Sequence, residues 1–412
     1  MKALITGGAG FIGCNIARRL MGQGAEVLVL DNLSRPGSSS NLRWLQSLGP
    51  MRLVQGDIRD PAVTEGIFRQ DPDIGLVYHM ASQVAVTTSV LKPREDFEIN
   101  AFGSLNLLEA VRLGPADPIL VYASTNKVYG GMEDVRIVEQ GGRYGYQDFP
   151  HGISEERNLD FHSPYGCSKG AADQYVRDYA RIYGLKTLSF RQSCIYGYRQ
   201  FGLEDQGWVA WFTIQFILGN PVTIYGDGKQ VRDMLFIDDL LDAYEAAVDR
   251  IELTRGKVYN LGGGPANALS LHDLIRRLEE LSGRKMEVQY RDWRPGDQLV
   301  FVANVDRAGR EFGWAPRVSA PEGVKRLYEW ILANRELFLP YARNAAEGQG
   351  LQKVPPLRKA HARNAAEGQG EEQPAGPAPE VRASPCACRG AVLPNCPGEP
   401  EPAGRAGRKR SR

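Results

Sequence analysis

The chain has 412 residues, 42% of them hydrophobic, and its 50 lysines and arginines against 49 acidic residues leave a net charge of +1. That length carries a large core or two modest domains. The charge balance gives no reason to expect nucleic acid as a partner, and no apolar run approaches the roughly 20 residues that a membrane span needs.

The first strand is expected at the very N-terminus, with no signal peptide before it, and the scattered cysteines argue against a disulfide framework. A reducing cytoplasm is the expected compartment. Ala3-Leu4-Ile5 predicts a buried parallel strand, broken at once by Gly7-Gly8-Ala9-Gly10-Phe11-Ile12-Gly13. A helix follows, with Ile12, Ile16, Leu20 and Met21 on one face, and a second apolar run, Val27 to Leu30, closes on Asp31. Strand, glycines, helix, strand and acid stand in the order of a dinucleotide-binding β-α-β unit, which a merely structural glycine turn does not require.

Each part has a physical reason. Gly7 and Gly8 permit a sharp turn, Gly10 lets backbone approach a pyrophosphate, and Gly13 lets helix pack against strand. The helix N-terminus offers free N–H groups and partial positive charge to phosphate. Asp31 is suited to accept hydrogen bonds from both adenosine ribose hydroxyls and to repel a 2′-phosphate, which favours NAD over NADP, with Arg35 nearby pulling the other way.

The β-α alternation continues through strands at Arg52–Gln55, Ile74–His79 and Ile119–Ala123, with helices from about Pro61 and through Asn100 to Leu108. It predicts a doubly wound parallel sheet with helices on both faces, and it brings Asp57, Ala81 and Ser124 to the strand ends where such sheets bind ligands. Residues 131–162 lack a clear period and read as a long functional insertion. A helix from Tyr165 to Tyr183 and a strand from Leu185 to Phe190 come next. Shorter mixed elements from Gln206 onward predict a smaller α/β domain, with a last helix over Ala320 to Phe338.

Residues 1–341 are therefore expected to form one unit, with the cofactor part mainly 1–192 and an interleaved substrate part mainly 193–341. Residues 342–412 read as a low-complexity, disordered tail, in which the segment 342–350 recurs unchanged at 362–370. Two such copies without a hydrophobic face cannot build a solenoid. Cys386, Cys388 and Cys396 lack a fourth ligand, so no metal is expected.

The catalytic candidates are Thr125, Tyr165 and Lys169. Tyr-x-x-x-Lys occurs twice, but Tyr225 to Lys229 encloses Gly226-Asp227-Gly228 and reads as a turn. Only Tyr165 and Lys169 open a helix, where positions i and i+4 share a face. Free tyrosine, with a pKa near 10, is a poor base at neutral pH. A neighbouring ammonium and a positive nicotinamide ring are expected to lower that value.

These motifs, with Asp57-Ile58, Ser124-Thr125 and Val128-Tyr129-Gly130, resemble the extended short-chain dehydrogenase/reductases, the NAD-dependent nucleotide-sugar epimerases and dehydratases. The resemblance spans about residues 1–338. It implies a Rossmann-type sheet, with Tyr165 as base, Thr125 as its partner and Lys169 on the nicotinamide ribose. Asp31 and Asn32 would lie at the adenosine ribose and Asp57-Ile58 at the adenine, with Phe11, Ile12, Ala81, Ser82 and Asn100 completing the cofactor site. Arg232 and Arg294 would hold the diphosphate of a sugar nucleotide. The family's dehydratases carry Asp-Glu after the catalytic threonine; Asn126 and Lys127 stand there instead, which removes the acid and base for eliminating water. Cys194 replaces a usual asparagine.

Ser124 to Gly130, the insertion and Arg199-Gln200-Phe201-Gly202 resemble a branch that inverts C2 of a CDP-linked sugar. Ser82, Asn126, Lys127 and Gln192 are then candidates for steering C2 toward the nicotinamide. Trp208 and Trp211 suit either the nucleotide base or the helix core. The alternatives are a UDP-hexose 4-epimerase, a net reductase, and a non-catalytic NAD-binding regulator, which would need the glycines but not the base. By the same resemblance a homodimer or homotetramer is expected, paired through the helices around Asn100 and Tyr165.

Overall fold

The computed structural model describes residues 1–294 and 297–340. The tail, its repeat and its cysteines lie outside the described residues.

Seven strands form the main sheet: β1 (Lys2–Thr6), β2 (Glu26–Asp31), β3 (Arg52–Gln55), β4 (Ile74–His79), β5 (Ile119–Thr125), β6 (Lys186–Gln192) and β7 (Val258–Leu261). Their spatial order is 3-2-1-4-5-6-7. Every neighbouring pair is parallel. Strand order therefore reverses between β1 and β4, which opens a crevice at their C-terminal ends.

Alternation along the strands divides the core in two. Ala3, Ile5, Val29 and Tyr78 pack on one face, and Leu4, Leu28, Leu30 and Val77 on the other. Helix α1 (Phe11–Gly22) crosses from β1 to β2, and α2 (Ser163–Tyr183) precedes β6. The helix expected through Asn100 is a continuous run with a defect, since Pro93–Phe97 and Gly103–Leu113 flank a π-turn at Glu98–Phe102. Such turns are frequent at functional sites.

The second half of the chain supplies β7 to the main sheet. It also builds a smaller sheet around Val231–Phe236, paired with Cys194–Tyr196, Ala268–Ser270 and Val300–Phe301. Val222–Tyr225 pairs separately with Val288–Arg291. Helix α3 (Trp208–Leu218) packs against Ala320–Ala333, beyond which Arg335–Phe338 tightens into a 3-10 turn.

The insertion is not a plain loop. It contains an antiparallel hairpin, Ile137–Gln140 with Arg143–Tyr146. Gly141 and Gly142 turn it with φ of 60° and 78°, the two positive values that a tight hairpin turn demands. Tyr225 to Lys229 is indeed a turn, with Gly226 and Gly228 at positive φ. Among the described residues no helix is long and apolar enough to cross a membrane.

Candidate active site

The crevice at the β1/β4 reversal is a cleft of about 420 Å³. Gly10 caps α1 in an extended conformation, without a side-chain cap and without an acid in the first turn, so the first N–H groups are left for an anion. The approach is close on every side. Gly7 has φ +66°, and a Cβ there would lie 2.7 Å from the Ala81 nitrogen, while a Cβ on Gly13 would lie 2.3 Å from the Gly7 carbonyl oxygen.

Gly7, Gly10, Phe11, Ile12 and Gly13 line this cleft, as do Asp31, Asn32, Asp57, Ile58, Ala81, Ser82 and Lys169. A cradle that one methyl group would fill, facing an acid at the end of β2, fits a dinucleotide. The Asp31 carboxylate accepts from the backbone N–H groups of Ala9 (2.9 Å) and Leu33 (2.7 Å). Burial raises its pKa and those two bonds oppose the rise. Asp57 is gripped by the Arg59 guanidinium at 3.0 and 2.8 Å and by Asn32 at 2.9 Å. Arg59 pulls it down to about 2, so Asp57 stays ionised and largely engaged within the protein. Arg35 lines the same cleft and donates to Gln206 Oε1 at 3.4 Å.

Asn100 departs from expectation. It does not line the cleft. Its Oδ1 accepts from Ser82 Oγ and the Gln83 N–H, both at 2.9 Å, and its Nδ2 donates to the Gln83 carbonyl and Ser168 Oγ, both at 3.1 Å. The π-turn places a saturated amide behind the cleft wall, tying the β4 loop to α2.

Thr125 ends β5, and Tyr165 and Lys169 lie one turn apart at the start of α2. Lys169 is buried, with Nζ 2.5 Å from the Ala123 carbonyl and 4.4 Å from the centre of the Tyr122 ring. Burial lowers its pKa to about 7, against the pull of Asp173 and Asp96. Tyr165 behaves oppositely to expectation. In the protein alone burial pushes it up to about 12, and the lowering influence is the Thr125 hydroxyl rather than Lys169, whose ammonium faces the Ala123 carbonyl. Ser124 Oγ, buried beside them, has no partner among the described residues.

A second cleft, of about 380 Å³, shares Tyr165, Ser124 and Gln192 with the first. Thr125, Asn126, Lys127, Arg232 and Arg294 line it, but Ser82 does not; the turn after β4 directs that residue to the cofactor cleft alone. Arg232 pairs with Asp297 at 2.9 Å. Arg294 lies 3.9 Å above the Tyr225 ring and donates to the Glu204 carbonyl. Lys127 makes no ion pair or side-chain hydrogen bond among the described residues, and burial, helped by Arg232, lowers its pKa to about 8. Asn126 reaches Gln298 at 3.4 Å, and Gln192 donates to the Tyr244 hydroxyl.

Cys194 and Trp208 line this cleft, whereas Trp211 is packed against the hydrophobic core. Thr87, Glu204, Asp205 and Gln230 also line it and are absent from the site residues expected from the sequence. They come from three separate segments, Thr87 from the helix Val86–Leu91 and the others from turns, and Thr87 and Asp205 meet only in the fold, at 2.7 Å.

The arrangement is a dinucleotide cleft that meets, around Tyr165, Ser124 and Gln192, a second cleft carrying Lys127, Arg232 and Arg294. Residues 3–262 match the model of the NAD dependent epimerase/dehydratase family. The chain is 48% identical over 336 residues to the CDP-paratose 2-epimerase of Salmonella typhi, covering 80% of this chain and 99% of that one. It superposes on the UDP-glucose 4-epimerase of Thermotoga maritima, solved with UDP-glucose, with a TM-score of 0.71 at 32% identity, over 81% of this chain and 100% of that one. The UDP-glucose 4-epimerase of Thermus thermophilus, solved with NAD, gives 0.67 at 33% identity, over 80% and 98%.

Proposed function

The chain belongs to the NAD-dependent epimerase/dehydratase family, and on that premise we propose that it inverts C2 of CDP-paratose to give CDP-tyvelose. It is an NAD-dependent nucleotide-sugar epimerase. The observation that carries the finer reading is the 48% identity, over 99% of that protein's length, to a CDP-paratose 2-epimerase. Asn126 and Lys127 in place of a carboxylate pair support an epimerase over a dehydratase.

In this reading Gly7 to Gly13 and the N-terminus of α1 hold the pyrophosphate, Asp31 the adenosine ribose and Lys169 the nicotinamide ribose. The chemistry that bound NAD supplies is reversible hydride exchange at carbon, together with a positive charge that opposes the raised pKa of Tyr165. Tyr165 takes the proton of the C2 hydroxyl and returns it, while Thr125 bonds the tyrosine oxygen and orients it. Arg232 and Arg294 grip the diphosphate. Asn126, Lys127 and Gln192 orient the sugar, and the planar 2-keto sugar must present its opposite face before reduction.

Phe97, Phe102, Tyr175, Ile182 and Tyr183, exposed on the 93–113 run and on α2, support pairing of two chains there.

The test is incubation of the purified protein, without added cofactor, with CDP-paratose, UDP-glucose and UDP-galactose in deuterated water, followed by NMR. Inversion at C2 of CDP-paratose without deuterium uptake is expected. Turnover of the UDP sugars at C4 alone would establish the 4-epimerase reading, which the Thermotoga maritima likeness favours.

A further inference from the structure

The insertion does not line either cleft, yet one of its strands bonds residues within or just beside each segment that walls the far end of the substrate cleft. Three segments form that wall: Tyr225 to Arg232, Leu271, and Arg294 with Asp297. Arg143 donates to the Ala268 carbonyl at 2.8 Å and lies 3.8 Å from Asp273, whose carboxylate caps the helix that Leu271 begins. Tyr144 bonds the first segment twice, its N–H to the Lys229 carbonyl at 3.0 Å and its hydroxyl to Asp227 at 2.6 Å. Asp227 in turn accepts from the Lys229 N–H at 3.0 Å, which holds the turn between Tyr225 and Gln230. Tyr146 donates to the Val300 carbonyl at 3.0 Å, three residues past Asp297. Between these bonds Ile137, Tyr144 and Tyr146 pack on Val231, Ala268, Val300 and Val302.

Alternate residues of a strand point to opposite faces, so Tyr144 and Tyr146 share one face and press on the small sheet together. Arg232 and Gln230 therefore stand on a strand and a turn whose outer side the hairpin covers. We propose that strand Arg143–Tyr146 is a positioning element for the nucleotide: it sets the affinity of the substrate cleft without touching the ligand. The inference rests on the reading that this end of the cleft, away from Tyr165, takes the nucleotide.

The experiment compares full-length NAD-loaded wild type with Tyr144→Phe, Asp227→Ala, Asp227→Asn and the Tyr144→Phe/Asp227→Ala double variant. Binding of CDP and of UDP is measured by calorimetry, beside kcat, KM and bound NAD. Tyr144→Phe and Asp227→Ala should each weaken nucleotide binding and raise KM about tenfold, with no further loss in the double variant. Bound NAD and kcat should stay within about twofold, and Asp227→Asn, which keeps an acceptor, should bind nearly as wild type does. Unchanged affinity in Tyr144→Phe, additive losses, or parallel losses of NAD and kcat would each overturn the proposal. If wild type binds neither CDP nor UDP, the nucleotide reading of the cleft falls first and this inference with it.

Discussion

The cofactor cleft takes its walls from the C-terminal ends of consecutive parallel strands, whereas the substrate cleft draws Thr87, Lys127, Cys194, Arg232 and Arg294 from segments far apart in the chain. In the first, geometry is set by backbone: the glycine turn, a helix N-terminus and an acid at a strand end. In the second, it is set by side chains that hold one another, such as Arg232 with Asp297 and Arg294 over Tyr225. A backbone site tolerates almost no added atom, while a side-chain site can change its ligand by changing a few residues. That difference is consistent with one cofactor and differing sugar nucleotides among the relatives.

The largest test of this contrast falls where the clefts meet. Tyr165→Phe removes the group that handles the proton, and turnover should fall about 10³-fold while NAD and CDP still bind. Retained turnover in an NMR assay would move the base elsewhere.

Gly13→Ala adds one carbon 2.3 Å from the Gly7 carbonyl oxygen, and overpacking of this kind costs about 1–3 kcal/mol. The folded protein should then purify with NAD affinity weakened on the order of tenfold to a hundredfold. Full NAD content after gel filtration would show that the cradle is softer than its contacts imply.

The substrate cleft should instead respond to charge. The Lys127 pKa is lowered to about 8, so its ammonium is present below that pH and lost above it. The KM for CDP-paratose should rise by up to about tenfold between pH 7 and pH 9, and Lys127→Arg, which stays charged, should remove that dependence. A pH dependence unchanged in Lys127→Arg would take Lys127 out of ligand binding.

The smallest functional effect is expected at Asn100. Asn100→Ala takes the acceptor from the buried Gln83 N–H and removes one bond each from Ser82 and Ser168, with a stability loss of about 1–3 kcal/mol and only a few-fold change in NAD affinity. Loss of NAD at unchanged melting temperature would return Asn100 to direct cofactor contact.

How much was legible follows from the same contrast. The β-α-β unit, the parallel sheet and the helix bearing Tyr165 and Lys169 follow local periodicities, which hydrophobic spacing reports directly. The hairpin at 137–146 was missed although Gly141-Gly142 marks its turn, because its strands are short and half-exposed and their partners lie near Asp227 and Val300. Ser82 and Asn100 lie close to the cofactor strands, but their directions depend on a loop and a π-turn that periodicity does not encode.

The cofactor half follows from local sequence alone, since strand ends, glycines and an acid at set offsets dictate a dinucleotide crevice through local backbone geometry. Three outcomes came from the assembled fold: Tyr165 is raised rather than lowered in the protein alone, Asn100 braces the wall, and Lys127, beside Arg232, has no ion pair among the described residues. Those outcomes depend on burial and on partners brought together from distant segments, and neither is a property of any local stretch of chain.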